Sequence, residues 1–179
     1  MGKYTIPVFV ATGISGILTG VFAWLYGAFY AEWMLSCAIT FGTCFYHLAM
    51  RLLVGLAALP VRKWDSRWFR QKSWEPKLYR ALGVKRWKKY MPTFLPKQFS
   101  LKENTMEQII RNGCRAEIVH EVIVVLSFLP VLTIPSFGAA GVFWATSFAS
   151  ALFDGCAAIL QRYNRPRFQR ILAKEASRL

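Results

Sequence analysis

The sequence contains few acidic side chains and almost no histidine. Nine Asp and Glu residues stand against 23 Lys and Arg residues, and His47 and His120 are the only two histidines. A metal centre needs several such ligands, because two of them do not fill a coordination shell. We therefore expect no metal ion, although Glu117 and His120 have the Glu-x-x-His spacing of carboxylate-bridged di-metal bundles.

The sequence also lacks the signatures of covalent catalysis. It contains no G-x-S-x-G elbow, no H-x-x-x-x-D, no glycine-rich phosphate loop and no H-E-x-x-H. Its four cysteines are scattered without C-x-x-C spacing, which favours free thiols that fill apolar space near membrane helices. For an enzyme, direct transfer between two bound substrates is then the simpler hypothesis.

Apolar and basic residues are both abundant, and they are segregated along the chain. Hydrophobic residues make up 55% of the 179 positions, aromatic residues make up 16%, and the net charge is +14. This combination is typical of an integral membrane protein with a basic face toward anionic lipid. A nucleic-acid-binding protein could share the charge, but it would not need the long apolar runs. We therefore expect membrane lipids, and not nucleic acid, as partners.

Four apolar runs predict an all-α, polytopic membrane protein with a single membrane domain. The runs are 5–31, 33–60, 118–135 and 142–160. Each is long enough to cross the hydrocarbon core of a bilayer. No A-x-A-like cleavage site follows the first run, so we expect it to remain as an anchor. Gly16 and Gly20 in that run form a small-xxx-small pair, which predicts close packing on a neighbouring helix.

A basic, aromatic-rich loop, 61–117, predicts amphipathic helices on the membrane surface. Within it, the motif Ser100-Leu101-Lys102-Glu103 matches an S-x-x-E capping box and predicts the start of the third long helix. The basic tail, 161–179, is predicted to end in a separate amphipathic helix, 168–179. Because the two remaining turns carry no basic residue, the positive-inside rule places both termini and the loop in the cytoplasm, in a protein of the cell membrane.

The first candidate site is the stretch Arg115-Ala116-Glu117-Ile118-Val119-His120-Glu121, where the third run begins. Ionisable groups are costly there, so a functional site is the default hypothesis. Helical spacing places Glu117 within one turn of His120 and Glu121. His120 is the candidate general base, and Glu117 or Glu121 would orient it. A purely structural role, in which His120 and Glu117 satisfy each other at the interface, stays open.

The second candidate site is the heptapeptide Gln161-Arg162-Tyr163-Asn164-Arg165-Pro166-Arg167. Guanidinium groups match phosphate geometry, so its three arginines, with Asn164, are candidates to hold a donor phosphate or a lipid headgroup. They would also stabilise developing oxyanion charge. A stop-transfer cluster that only fixes topology is the alternative, but it would not need the interspersed Gln161 and Tyr163.

A further polar patch lies inside the apolar runs. His47 and Arg51 are four residues apart and share a helix face. They could face the first candidate site or plug the helix bundle, and the spacing alone does not decide between these roles. Asp154 is a third ionisable group within a predicted span.

Five motifs within residues 70–170 are similar to those of a known family. They are Trp74-Glu75, Leu78-Tyr79, Val84-Lys85-Arg86-Trp87-Lys88, Arg115-Ala116-Glu117-Ile118-Val119-His120 and Gln161-Arg162-Tyr163-Asn164-Arg165-Pro166-Arg167. They resemble the glycosyl-4,4'-diaponeurosporenoate acyltransferase family, small bacterial membrane proteins associated with the last step of staphyloxanthin-type carotenoid synthesis. The family reaction places a fatty acyl chain on the sugar of a glycosylated carotenoid. We add Glu75, Trp87 and Arg115 to the candidate substrate-binding residues.

The resemblance implies transfer of a fatty acyl group to a hydroxyl of a membrane lipid, such as a glycosylated carotenoid or another glycolipid. The donor would be an activated acyl group, for example the thioester acyl-CoA, and no cofactor is expected beside it. Two alternatives stay open. One is a non-enzymatic lipid-binding or accessory membrane protein. The other is a small transporter that uses His47, Arg51 and Asp154 as intramembrane polar groups.

Overall fold

The computed structural model describes residues 5–58, 60–61 and 63–177, and all regular structure within them is helical. Four segments are long and apolar enough to span a membrane, which confirms the predicted fold class. They are Thr5–Phe29, Glu32–Ala57, Met106–Phe137 and Ala140–Ala176. Positions 62, 178 and 179 of the predicted loop and tail lie outside the described residues.

The described residues form long helices joined by short ones. The α-helices are α1 (Thr5–Phe29), α2 (Glu32–Ala57), α3 (Glu75–Ala81), α4 (Val84–Trp87), α5 (Met106–Leu126), α6 (Ile134–Phe137) and α7 (Ala140–Ala176). Single 3₁₀ turns occupy Arg67–Phe69, Lys88–Tyr90, Pro96–Phe99 and Leu129–Thr133. Short helices are therefore present in the basic loop, as its sequence predicts.

Helix α5 begins at Met106, later than the sequence predicts. Its capping box is formed by Thr105 and Gln108: the Thr105 N–H donates to Gln108 Oε1 at 2.7 Å, and the Gln108 N–H donates to Thr105 Oγ1 at 3.2 Å. This is the T-x-x-Q form of the motif. The predicted helix start at Ser100 is wrong, because the Ser100 hydroxyl instead accepts the Lys102 N–H within a turn, at 3.2 Å.

Helix α7 is continuous through Pro166, so the prediction of a separate helix at 168–179 is wrong. Proline has no N–H, and the carbonyl of Arg162 therefore lacks its usual backbone donor. The helix tolerates this loss. Its 37 residues extend about 55 Å at 1.5 Å per residue, which exceeds a hydrocarbon core of about 30 Å. One end of α7 can therefore carry the polar heptapeptide outside the core.

The described chain divides into two compact units. The first unit comprises residues 58–121 and 155–177, and the second unit comprises residues 5–57 and 122–154. In the first unit, buried residues of the loop and of α5 form an apolar core with one face of α7. Its members are Phe69, Met106, Ile110 and Cys114, with Val61, Trp64, Phe168, Ile171 and Leu172 packed against them.

In the second unit, α1 packs along α2. A Cβ added at Gly16 would lie 3.0 Å from the Phe45 ring, so this ring of α2 packs directly on the glycine of α1. The predicted contact is thus confirmed for Gly16, but nothing lies within 4 Å of a Cβ added at Gly20. The four cysteines are free thiols, as the sequence predicts.

Candidate functional site

Three carboxylates and two arginines converge in the first unit. Glu75 comes from the first turn of α3, Glu117 and Glu121 from successive turns of α5, and Arg162 and Arg165 from one face of α7. We call this group the carboxylate–arginine cluster. The basic loop, the entrance of the third span and the heptapeptide therefore meet at one place.

Glu117 and Arg165 form the most buried part of the cluster. Glu117 is fully buried and Arg165 is 4% exposed. Arg165 Nη2 contacts Glu117 Oε2, and Arg162 Nη1 lies 3.2 Å from Glu117 Oε1. Two guanidinium groups thus neutralise one buried carboxylate, which would otherwise be strongly unfavourable away from water.

Arg162 links all three carboxylates. Its Nε lies 3.3 Å from Glu75 Oε1, and its Nη1 lies 3.5 Å from Glu121 Oε1 as well as close to Glu117. Its remaining nitrogen, Nη2, donates to the carbonyl of Trp68 at 2.8 Å. The planar guanidinium of Arg162 therefore joins α3, α5 and the segment before α3. A lysine ammonium could not do this.

The 3₁₀ turn Arg67–Phe69 is held to α7 through its main chain. Arg165 Nη1 donates to the Phe69 carbonyl at 2.8 Å, and the Arg165 guanidinium lies 4.9 Å from the centre of the Phe69 ring. The Trp68 indole donates to Glu121 Oε2 at 3.3 Å. These contacts fix the turn, so the side chain of Trp68 is presented at a defined place beside the cluster.

Tyr79 completes the environment of Glu75. Its hydroxyl donates to Glu75 Oε2 at 2.9 Å, and its ring packs edge-to-face on Tyr163 with centroids 5.6 Å apart. Lys88 Nζ lies 5.0 Å above the same Tyr163 ring. Burial, and then the bond to Glu75, raise the pKa of Tyr79. The phenol therefore stays protonated and acts as a hydrogen-bond donor, not as a base.

We expect Tyr79→Phe to lower the free energy of unfolding by about 1–3 kcal/mol, because buried Glu75 loses its donor. The folded protein holds the Tyr79 proton more tightly than the unfolded chain does, so this contribution falls as the pH rises above about 10. Wild type should lose more stability than Tyr79→Phe across that range. Unfolding by denaturant at several pH values measures this, with exposed Tyr90→Phe as the control. Parallel pH curves for wild type and Tyr79→Phe would contradict it.

A cavity of about 260 Å³ opens beside the cluster. It is lined by Trp68, Lys72, Trp74, Glu75, Leu78, Tyr79, Ile159 and Arg162. Its walls are mainly apolar and aromatic, and the buried Glu75 carboxylate and the Arg162 guanidinium provide polar groups. Apolar walls with a few placed polar groups are typical of binding sites for small molecules.

The structure brings five of the predicted site residues into the cluster and leaves others around it. Arg115, His120 and Asn164 are half-buried, whereas Arg167 is exposed. The others make local contacts: Gln161 packs on Gly113, Tyr163 on Tyr79 and Lys88, and the Trp87 indole donates to the Leu82 carbonyl at 3.0 Å.

Sequence reasoning missed Tyr79 and the two carbonyl groups at Trp68 and Phe69. The i,i+4 spacing of Glu75 and Tyr79 could have indicated their contact, but main-chain acceptors leave no signal in a sequence. In the described residues, no group of three His, Cys, Asp or Glu side chains is placed to hold a metal ion.

Arg165 and Arg167 provide a matched pair of substitutions. Arg165→Lys should cost about 1.5–3 kcal/mol of stability, because an ammonium cannot serve Glu117, the Phe69 carbonyl and the Phe69 ring together. Arg167 is exposed, so Arg167→Lys should stay within about 0.5 kcal/mol of wild type. Thermal unfolding in detergent measures both. Equal effects of the two substitutions would show that the Arg165 contacts contribute little.

The membrane-spanning helices and the cluster define a helical membrane protein with a charged site beside its loop helices. The family model of the glycosyl-4,4'-diaponeurosporenoate acyltransferases matches residues 65–174, which is more than half of the chain. The chain therefore belongs to this acyltransferase family, which confirms the resemblance. All five cluster residues and all cavity residues lie within the matched range. No curated protein and no solved structure gives a significant match.

Proposed function

We propose that the protein transfers a fatty acyl group from a thioester donor, such as acyl-CoA, to a sugar hydroxyl of a membrane glycolipid. The observation that carries this proposal is the cavity beside Glu75, Tyr79 and Arg162, within the region matched by the acyltransferase family. A site of this kind, beside the loop helices, would accept the polar headgroup of a glycolipid while the lipid tail stays in the bilayer.

The cavity chemistry suits one sugar ring. Trp68 and Trp74 offer broad apolar faces, while Glu75 and Arg162 supply an acceptor and a donor for hydroxyl groups. The volume of about 260 Å³ lies below the range of about 300–1,000 Å³ for sites that enclose a whole drug-sized ligand. The cavity would therefore hold the headgroup and not the entire glycolipid.

His120 remains our candidate general base. In the reaction, the sugar hydroxyl oxygen attacks the thioester carbonyl carbon while His120 takes the hydroxyl proton. The carbon–sulfur bond then breaks, and the proton passes to the departing thiolate. Glu117, which is bound to two arginines, would act by holding α5 in place. Half-buried Glu121 stays our candidate to orient His120.

The donor phosphate is best assigned to the arginines outside the cluster. Arg165 is 4% exposed and contacts Glu117, so its guanidinium is already occupied. Exposed Arg167 and half-buried Arg115, with Asn164, would instead hold a donor phosphate at the edge of the cluster. The sequence alone predicts that Arg162, Arg165 and Arg167, with Asn164, hold a donor phosphate or a lipid headgroup, and this proposal keeps Arg167 and Asn164 in that role.

An acyl-transfer assay tests the proposal. Purified protein in lipid nanodiscs would be incubated with radiolabelled palmitoyl-CoA and a synthetic glucosyl lipid, and the products would be separated by chromatography. We expect acylated glucosyl lipid and free CoA in equal amounts, and much less product with Glu75→Gln. Binding of the glucosyl lipid without turnover of any acyl-CoA chain length would overturn the enzymatic proposal and favour the lipid-binding alternative.

A further inference from the structure

The second unit contains a polar cluster of its own, within its apolar helices. Arg51 of α2 pairs with Asp154 of α7 through Nε and Nη2, at 2.9 and 2.6 Å from Asp154 Oδ2. Arg51 Nη2 also donates to Ser150 Oγ at 2.8 Å, and Ser150 Oγ lies 2.8 Å from Ser127 Oγ. The sequence leaves the roles of His47 and Arg51 open. For Arg51, the structure shows that Asp154 neutralises its charge.

Two polar side chains beside this ion pair have no hydrogen-bond partner among the described residues. His47 is 5% exposed, and neither ring nitrogen is bonded. Ser147 is fully buried, and its hydroxyl is not bonded. Leaving such a group unpaired costs about 1–3 kcal/mol, and buried polar groups in native proteins are nearly always paired.

The positions of His47 and Ser147 along their helices place both residues where α2 and α7 face each other. Arg51 reaches both Ser150 and Asp154, so α2 and α7 face each other here. His47 lies one turn before Arg51 on α2, and Arg51 Nη1 donates to its carbonyl at 3.0 Å. Ser147 lies one turn before Ser150 on α7. Consecutive spans alternate in direction, so α2 and α7, the second and fourth spans, run parallel. Each unpaired group is therefore one turn from the ion pair, on the same side of it.

We propose that His47 and Ser147 form an intramembrane binding site for a neutral oxygen, a hydroxyl or a carbonyl, at the end of a long-chain apolar molecule. Both side chains can donate and accept hydrogen bonds, so either kind of oxygen satisfies them. The neighbouring charges of Arg51 and Asp154 already balance, which favours a neutral group over an ion.

A long-chain molecule suits this place better than a lone water molecule. The exposed residues of the second unit's helices include Leu53, Val125, Phe148 and Leu152, which are all apolar. An oxygen that arrives on a hydrocarbon chain keeps its apolar part among such surfaces and brings only one polar group to the interior. The site lies outside the carboxylate–arginine cluster, and its assignment does not depend on the proposed acyl transfer.

Photocrosslinking tests the proposal in nanodiscs. The probe is a sixteen-carbon alcohol with a diazirine next to its hydroxyl end, and the control probe is the matching hydrocarbon without the hydroxyl. We expect the alcohol to label peptides of α2 and α7 around His47 and Ser147 more strongly than the hydrocarbon does. Labelling should fall roughly fivefold or more in His47→Phe and in Ser147→Ala, and His47→Asn should retain part of it. Thr40→Val, on an exposed position of α2, is the control and should label like wild type.

Equal labelling by the two probes would overturn the proposal, since the hydroxyl would then play no part. Alcohol labelling that is unchanged in both His47→Phe and Ser147→Ala would also overturn it. A site that holds only water gives no alcohol-specific labelling and counts against it in the same way. Helical content and thermal unfolding of each variant show whether it folds, and His47→Asn keeps the test valid if His47→Phe does not.

Discussion

Glu117→Ala should lower the free energy of unfolding by about 3–5 kcal/mol, the usual cost of removing one partner from a buried ion pair. Glu117 is fully buried, and it is the carboxylate that both Arg162 and Arg165 contact. Without it, Arg165 keeps its charge at a position that is 4% exposed. The loss of this one carboxylate should therefore loosen α5, α7 and the turn Arg67–Phe69 together.

The chain offers a matched control for this prediction. Glu107 and Arg111 form an exposed i,i+4 pair on the same helix, with Arg111 Nη2 2.6 Å from Glu107 Oε1, and solvent screening leaves such exposed pairs little effect on stability. Glu107→Ala should thus have a small effect. The double variant Glu117→Leu/Arg165→Met should be more stable than Glu117→Ala, because no unpaired charge is left inside. If Glu117→Ala unfolds no more readily than Glu107→Ala, the cluster does not stabilise the fold.

His120→Ala should lower kcat for acyl transfer by about 100- to 10,000-fold, the usual contribution of a general base. Because His120 would act on the proton and not on binding, KM for the donor and the acceptor should change little. Added imidazole should restore part of the activity by taking the place of the missing side chain. The assay is the nanodisc reaction described above.

Ile118→Ala is the control for this substitution, because Ile118 lies on the same helix and is 38% exposed. It should retain nearly full activity. A His120→Ala variant that keeps more than half of the wild-type kcat would remove His120 from the chemistry. A variant that loses activity only through a higher KM, without rescue by imidazole, would indicate a role in shaping the site. Glu75 would then become the better candidate for the base.

The fold was largely predictable because its determinants are local. Apolar runs long enough to cross a bilayer identify four spans from composition alone. The errors occur where local rules compete. Thr105 and Gln108 match a capping box as well as Ser100 and Glu103 do, and Pro166 is tolerated inside α7 although prolines usually end helices. Neither case is decided by the local pattern alone, because tertiary packing can override local preference.

The candidate site was predictable in its parts but not in its pairing. Charged residues at the entrance of a span pointed to Glu117 and Glu121, and the heptapeptide pointed to Arg162 and Arg165. Helical spacing suggested Glu117 as the partner of His120, whereas the contacts that the structure describes for Glu117 are to arginines of another helix. Contacts between helices depend on tertiary packing, so spacing within one helix could not reveal them.

The balance of charge inside the cluster has a consequence for how two substrates would share one protein. The cluster contains one more carboxylate than guanidinium, although the whole chain carries a net charge of +14. Lys72, which also lines the cavity, offsets this one excess negative charge, so the site is close to neutral beside a strongly basic surface. A phosphate-bearing molecule is thus attracted by the protein surface and not by the interior of the site, whereas an uncharged sugar meets no electrostatic barrier there. Electrostatics alone would then sort the two co-substrates, leaving the anionic carrier at the rim and admitting the neutral headgroup to the cavity.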